Sequence, residues 1–118
     1  MLSHSLEQGV LVITVHDDPG IGGRAALLAE ISDLVHVQKS APVVLVLDEP
    51  AVSGAAVSVV LRAHRMCSHL GVLMSVATHS APARRLLEVN ADTSGIRLVV
   101  HGDVDRAVSI ATAFAAAA

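Results

Sequence analysis

Three short, continuous apolar runs most constrain what this chain can fold into. They are VLVITV (10–15), VVLVL (43–47) and VLMSVA (72–77). Each is too short to span a bilayer as a helix, and each has the apolar character of a strand; VLVITV is also rich in β-branched residues. A run without alternating polar residues is typical of a strand covered on both faces. The runs therefore predict a sheet with helices packed on it.

Helical patterns separate these runs. Apolar residues recur at helical spacing after a loop predicted over HDDPGIGG (16–23), at Leu27, Leu28, Ile31, Leu34 and Val35. A second helix is predicted from Gly54 to Leu70, where Gly71 stops it. Ser80 is expected to cap a third helix over 81–89, and Asp103 a fourth. Two further strands are predicted, at 2–7 and at 96–100.

The resulting order, β-β-α-β-α-β-α-β-α, predicts one α/β domain over residues 1–118. Its sheet is expected to be mixed but mostly parallel, with four to five strands and about four helices. The alanine-rich end is expected to extend the last helix and then fray. Pro42 marks the boundary before the second apolar run.

Composition restricts the function classes. The chain has a net charge of -3 and one aromatic residue, Phe114, so it offers neither the charge nor the stacking platforms of a nucleic-acid binder. Its single cysteine, Cys67, permits no internal disulfide and fits a reducing compartment. We find no targeting or membrane segment, and expect a cytoplasmic protein.

Four segments follow one another in a distinctive order: VLVITV, VVLVLDE, LRAHRMCSHLGVLMSV and SAPARRLLEV. In these segments, and over nearly its whole length, the chain resembles STAS domains, the fold of anti-sigma factor antagonists. The resemblance implies a signalling domain, not an enzyme, that binds an anti-sigma factor or a related histidine-kinase-like ATPase. Occupying the anti-sigma factor would free the sigma factor. No cofactor is implied, and a homodimer is left open.

Two family motifs depart from their usual form here. After the second strand the family has glycine-glutamate-leucine-aspartate, whereas this chain has Asp17-Asp18-Pro19-Gly20. At the start of the long helix the family has aspartate-serine-serine-glycine, and a kinase phosphorylates the second serine. Matching serine-glycine puts that position at Ser53. Aligning without gaps puts it at Ala56, within Gly54-Ala55-Ala56-Val57; we prefer this register, which implies that the phosphorylation switch is absent.

Ser53 has two interpretations. As a helix N-cap, its hydroxyl would accept a hydrogen bond from a free backbone N–H of the helix. As a phosphorylation site, it would place the phosphate near the positive end of the helix dipole. The cap is the ordinary pattern for serine before Gly-Ala-Ala-Val, and the neighbouring carboxylate of the family motif is replaced by Ala51 and Val52.

The long helix also suggests a partner surface. Its polar residues form one stripe, Ser58, Arg62, Arg65 and His69, and nearly everything else on it is apolar. One interpretation is a deeply packed helix. The other is a contact patch in the first turns, where partners of STAS-domain antagonists dock. The candidate partner-binding residues are Ser53, Ala55, Ala56, Val59 and Arg62.

A small nucleotide- or ligand-binding domain is the alternative function. Gly20-Ile21-Gly22-Gly23-Arg24-Ala25 fits G-x-G-x-x-A after a strand, and Asp48 ends the next strand, where a ribose-binding acid would lie. Asp17 and Asp18 would repel a pyrophosphate, however, and the glycines also fit a structural turn.

Metal and nucleophile chemistry lack a local motif. The i,i+5 pair His64 and His69 does not share one helix face, so no metal site is predicted. Cys67 repeats with apolar residues at helical steps and is expected to be buried. No local Ser-His-Asp motif is present, although a triad dispersed along the chain stays open.

Overall fold

The computed structural model describes residues 2–38, 41–48, 53–93, 95 and 97–117, without the side chains of 116 and 117. The element order predicted from the sequence is confirmed. The strands are β1 (Leu2–Glu7), β2 (Val10–Val15), β3 (Val43–Leu47), β4 (Met74–Ala77) and β5 (Val100–His101). The helices are α1 (Gly20–Val37), α2 (Gly54–Leu70), α3 (Ala81–Thr93) and α4 (Val104–Ala117).

The five strands form one mixed sheet in the order β1-β2-β3-β4-β5. β1 is antiparallel to β2, and every other neighbouring pair is parallel. A two-residue turn joins β1 to β2, and both its residues have positive φ, Gln8 at 54° and Gly9 at 79°. Such a turn matches the twist of a hairpin. The mostly parallel sheet expected from the sequence is therefore confirmed.

Alternate residues of the central strands point to two different cores. One core lies between the sheet and α1, α2 and α3, and includes Leu11, Ile13, Leu45, Val76, Leu27, Val60 and Leu87. The other lies under α4 and includes Val12, Val44, Val46, Ala107 and Val108. All five residues of β3 are buried. The strand covered on both faces that the sequence predicts is thus confirmed.

Helix α2 has the predicted bounds. Gly71 ends it in the left-handed conformation, with φ 71°, and its N–H reaches the carbonyls of Cys67 and Ser68. A residue with a Cβ adopts this conformation only at a cost, so glycine is suited to this position.

Several other boundaries differ from the prediction. The loop predicted over residues 16–23 is shorter, because α1 already begins at Gly20. α3 continues to Thr93, four residues beyond the predicted end, and buries Ala91 in this extra turn. Strand β5 is limited to Val100 and His101. Residues 97–99 are not in a strand.

Candidate functional site at the start of helix α2

Ser53 caps helix α2. Its backbone is extended, with φ -158° and ψ 170°, and its Oγ accepts a hydrogen bond from the N–H of Ala56 at 3.1 Å. Its carbonyl accepts from the N–H of Val57 at 3.0 Å. The first contact satisfies one of the four N–H groups that a helix leaves free at its start, and the second is the first hydrogen bond of the helix itself. The predicted cap is confirmed, whereas Ala51 and Val52 lie outside the described residues.

Ser53 also makes a second contact that the sequence did not reveal. Its hydroxyl donates to Oδ1 of Asp18 at 2.7 Å, and the same oxygen accepts from the N–H of Gly20 at 2.9 Å. The Gly20 N–H, and after it the Ser53 hydroxyl, lower the pKa of Asp18 below its ordinary value. Asp18 thus supplies a carboxylate beside Ser53 from a loop 35 residues away, and connects the starts of α1 and α2.

The contact patch expected at the first turns of α2 is not an exposed surface. Ala56 is 1% exposed and Val59 is 3% exposed, and Val59 packs in the larger core. Ser53 and Ala55 are half-buried, and Arg62 is exposed. Since α2 rests on the sheet between two other helices, its apolar residues pack inward. The expectation that Ala56 and Val59 belong to a surface patch is therefore wrong.

Arg62, Arg65 and His69 of the polar stripe are exposed on α2, and Arg62 lies between two grooves. A groove of about 280 Å³ runs along α3 and is lined by Gly54, Val57, Ser58, Leu61, Arg62, Arg65 and Asn90. A groove of about 440 Å³ runs along α1 and is lined by Ala25, Leu28, Ala29, Ser32, Arg62 and Met66. Arg62 borders both grooves, so it remains a candidate contact residue.

The glycine-rich segment has a geometry that opposes nucleotide binding. Gly20 to Ala25 form the first turns of α1, and the carboxylate of Asp18 already occupies the Gly20 N–H. A pyrophosphate would need that N–H and would meet a negative charge. Asp48, the candidate ribose ligand, instead accepts a hydrogen bond from Nδ1 of His16 at 2.8 Å.

The remaining candidate groups are structural where they are described. Cys67 is fully buried, as expected, and burial raises the pKa of its thiol to about 11. Burial lowers the pKa of His64, partly offset by its hydrogen bond to the Arg97 backbone. Within the described ranges, no three His, Cys, Asp or Glu side chains are grouped so that they could hold a metal ion.

A third arrangement joins residues that no local motif connects. Oγ of Ser3 lies 2.7 Å from Nε2 of His16, and Nδ1 of the same ring lies 2.8 Å from Oδ2 of Asp48. The signal that could have indicated it is positional. His16 and Asp48 are the first residues after β2 and β3, and Ser3 lies on the strand antiparallel to β2.

No protein-family model and no curated protein matches the chain. In the part of the chain that the structure describes, no helix has the length and apolar character needed to cross a membrane.

Proposed function

We propose that this chain is a signalling domain that binds a protein partner at the start of helix α2. The partner class is an anti-sigma factor or a related histidine-kinase-like ATPase, as the resemblance to STAS domains implies. The observation that carries the proposal is the half-buried Ser53 hydroxyl, bonded both to the start of α2 and to Asp18. This function needs no catalysis by the chain itself.

The surface around Ser53 supports this proposal. Arg62 lies nine residues further along α2, about two and a half helical turns, and is exposed between two grooves that a protein segment could enter. Arginine is enriched in the energetically dominant contacts of protein interfaces. The order of strands and helices is also the one that the resemblance implies.

Burial of Ala56 changes the preferred position for a phosphorylation switch. A kinase could not reach a side chain that is 1% exposed, so the ungapped register places the family position in the core. Ser53, at the helix mouth, is accessible in part. We therefore propose Ser53 as the phosphate acceptor. A phosphate carries a charge of about -1.5 to -2 at neutral pH, and here it would replace a donor to Asp18 with a like charge.

Capture from a lysate of the native cell tests the proposal. Tagged wild-type protein should retain a histidine-kinase-like ATPase, identified by mass spectrometry. Arg62→Glu and Ser53→Asp should each reduce the retained amount at least about tenfold, because each adds negative charge at the interface. Aspartate is itself a good N-cap, so Ser53→Asp should remain folded.

Arg106→Glu is the matched control, because Arg106 is an exposed arginine on α4, across the sheet from α2. It should capture the partner as the wild type does. Equal capture by all three variants would place the interface elsewhere. If the captured proteins include no ATPase of this class, the proposed partner is refuted.

A further inference from the structure

Ser3, His16 and Asp48 form a continuous hydrogen-bond chain. The distances are 2.7 Å between Ser3 Oγ and His16 Nε2, and 2.8 Å between His16 Nδ1 and Asp48 Oδ2. A proton on Nδ1 donates to Asp48, and this leaves Nε2 to accept from the Ser3 hydroxyl. A serine, a histidine and an acid connected in this way can generate a serine nucleophile, on any fold.

The sheet itself brings the three residues together. Ser3 pairs with Thr14, which pairs with Val46, so these three side chains share the face of the sheet that α4 covers further along. His16 follows Thr14 by two residues, and Asp48 follows Val46 by two. Both therefore continue the same face just beyond the carboxyl ends of β2 and β3. This is the edge at which open α/β sheets bind ligands.

The nucleophile is accessible and lies near a cleft. Ser3 is exposed, and the side chains of His16 and Asp48 are 44% and 45% exposed. Asp48 also borders a cleft of about 430 Å³ at the same edge, with Val46, Leu47, Thr78, His79, Gly102 and Val104. Val46, which lines this cleft, lies two strands across the sheet from Ser3, and the two residues are therefore about 10 Å apart at the usual strand spacing.

We propose that Ser3, His16 and Asp48 catalyse hydrolysis of small carboxylic esters through an acyl-Ser3 intermediate. This activity uses residues other than Ser53, Asp18 and Arg62, and it does not depend on the proposed partner. The cleft beside Asp48, with three aliphatic residues in its lining, would receive an apolar part of the substrate.

The reaction balances with water as the only co-substrate. Ser3 Oγ forms a bond to the carbonyl carbon of the ester, and its proton passes to His16 Nε2. The bond from carbon to the leaving oxygen then breaks, and that oxygen takes the proton from His16. Water attacks the acyl-Ser3 carbonyl, again giving its proton to His16. The bond from carbon to Oγ breaks, the carboxylic acid leaves, and Ser3 regains the proton.

His16 is the general base, whereas Asp48 is a positioning residue that acts through the ring. Its carboxylate holds the proton on Nδ1 and stabilises the imidazolium that forms when Nε2 takes the serine proton. Because the Asp48 side chain is 45% exposed, water would replace part of this support. We therefore expect a smaller effect of its removal than the roughly 10⁴-fold loss seen in buried triads.

The test uses the full chain and p-nitrophenyl acetate, an ester whose phenolate is a good leaving group. After a short reaction quenched in acid, peptide mass spectrometry should find one acetyl group on Ser3. Ser3→Ala should remove this acetyl group and the early burst of nitrophenolate. Asp48→Asn should lower kcat at least about tenfold without raising KM, with an unchanged melting temperature.

Ser5→Ala is the matched control, since Ser5 lies on the same face of the same strand and bonds only to Glu7 in the described part of the chain. It should keep the burst and the acetyl-Ser3 peptide. Two results would overturn the proposal. One is ester hydrolysis without acetyl-Ser3, which would indicate catalysis by histidine rings alone. The other is equal acetylation of Ser3 and Ser5, which is nonspecific reactivity.

Discussion

Replacing Ser53 with alanine should destabilise the protein more than an ordinary loss of a helix cap. The N–H of Ala56 loses its acceptor at 3.1 Å, and Asp18 loses a hydroxyl donor at 2.7 Å. Loss of a serine cap alone typically costs about 0.5–2 kcal/mol. We expect Ser53→Ala to reach the upper half of this range, because it removes a hydrogen bond to a carboxylate as well.

Ser80 offers the comparison within the same chain. Its Oγ caps α3 by accepting from the N–H of Ala83 at 3.3 Å, and no carboxylate bond accompanies it among the described residues. Ser80→Ala should therefore cost less than Ser53→Ala. Urea unfolding followed by far-UV circular dichroism is the suitable assay, since the chain has no Trp or Tyr for fluorescence.

The pH dependence of unfolding gives an independent measure of the Ser53–Asp18 contact. The folded-state pKa of Asp18 lies below the ordinary value of 3.8, so the unfolded state binds its proton more readily. This contribution to stability is present above pH 3.8 and is lost as pH falls through the lower folded pKa. Asp18→Asn should abolish it, and Ser53→Ala should reduce it.

A double-mutant cycle decides whether the two groups act together. Ser53→Ala and Asp18→Asn should be non-additive, whereas Ser80→Ala and Asp18→Asn should add to within about 0.5 kcal/mol. Equal losses for Ser53→Ala and Ser80→Ala, with full additivity in both cycles, would refute the coupling between Ser53 and Asp18.

Three further predictions concern the core. Ala56→Asp should lower the free energy of unfolding in urea melts by at least about 3 kcal/mol, because it buries an unpaired charge. Ala55 is half-buried, so Ala55→Asp should cost less. Thr112→Val should raise the free energy of unfolding by about 1 kcal/mol, because the buried Thr112 Oγ1 has no hydrogen-bond partner in the described structure. Cys67, buried and with a thiol pKa of about 11, should react with iodoacetamide much more slowly in native buffer than in urea, as mass spectrometry would show.

The sequence predicted the elements whose signals are local. Helix α2 has its predicted bounds because the side chain of Ser53 and the backbone of Gly71 carry the start and stop signals locally. The predicted start of α1 is too late, since Gly20, Gly22 and Gly23 are typical of loops yet occupy its first turn. The predicted strand β5 is too long, because an apolar run does not indicate how many of its residues pair with β4. The pairs in the structure are Val76 with Val100 and Ala77 with His101.

Side-chain contacts between distant segments were the least predictable part of the site. The sequence shows Asp18 as part of a loop and a departing family motif and as a charge that would repel phosphate, whereas the structure places its Oδ1 2.7 Å from Oγ of Ser53. The bond depends on how α1 and α2 start at the same sheet edge, which no single segment encodes. Burial of Ala56 is not evident from the sequence for a related reason. The stripe of polar residues gave the outer face of α2, but not the depth to which its first turn packs.

The state of Ser53 in the native cell tests the central claim most directly. Protein isolated from that cell would be separated into a fraction bound to its partner and a free fraction, and each would be analysed by peptide mass spectrometry. We predict phosphate on Ser53 in the free fraction and its absence from the bound fraction. Phosphate at equal occupancy in both fractions, or on another residue of the chain, would contradict the account.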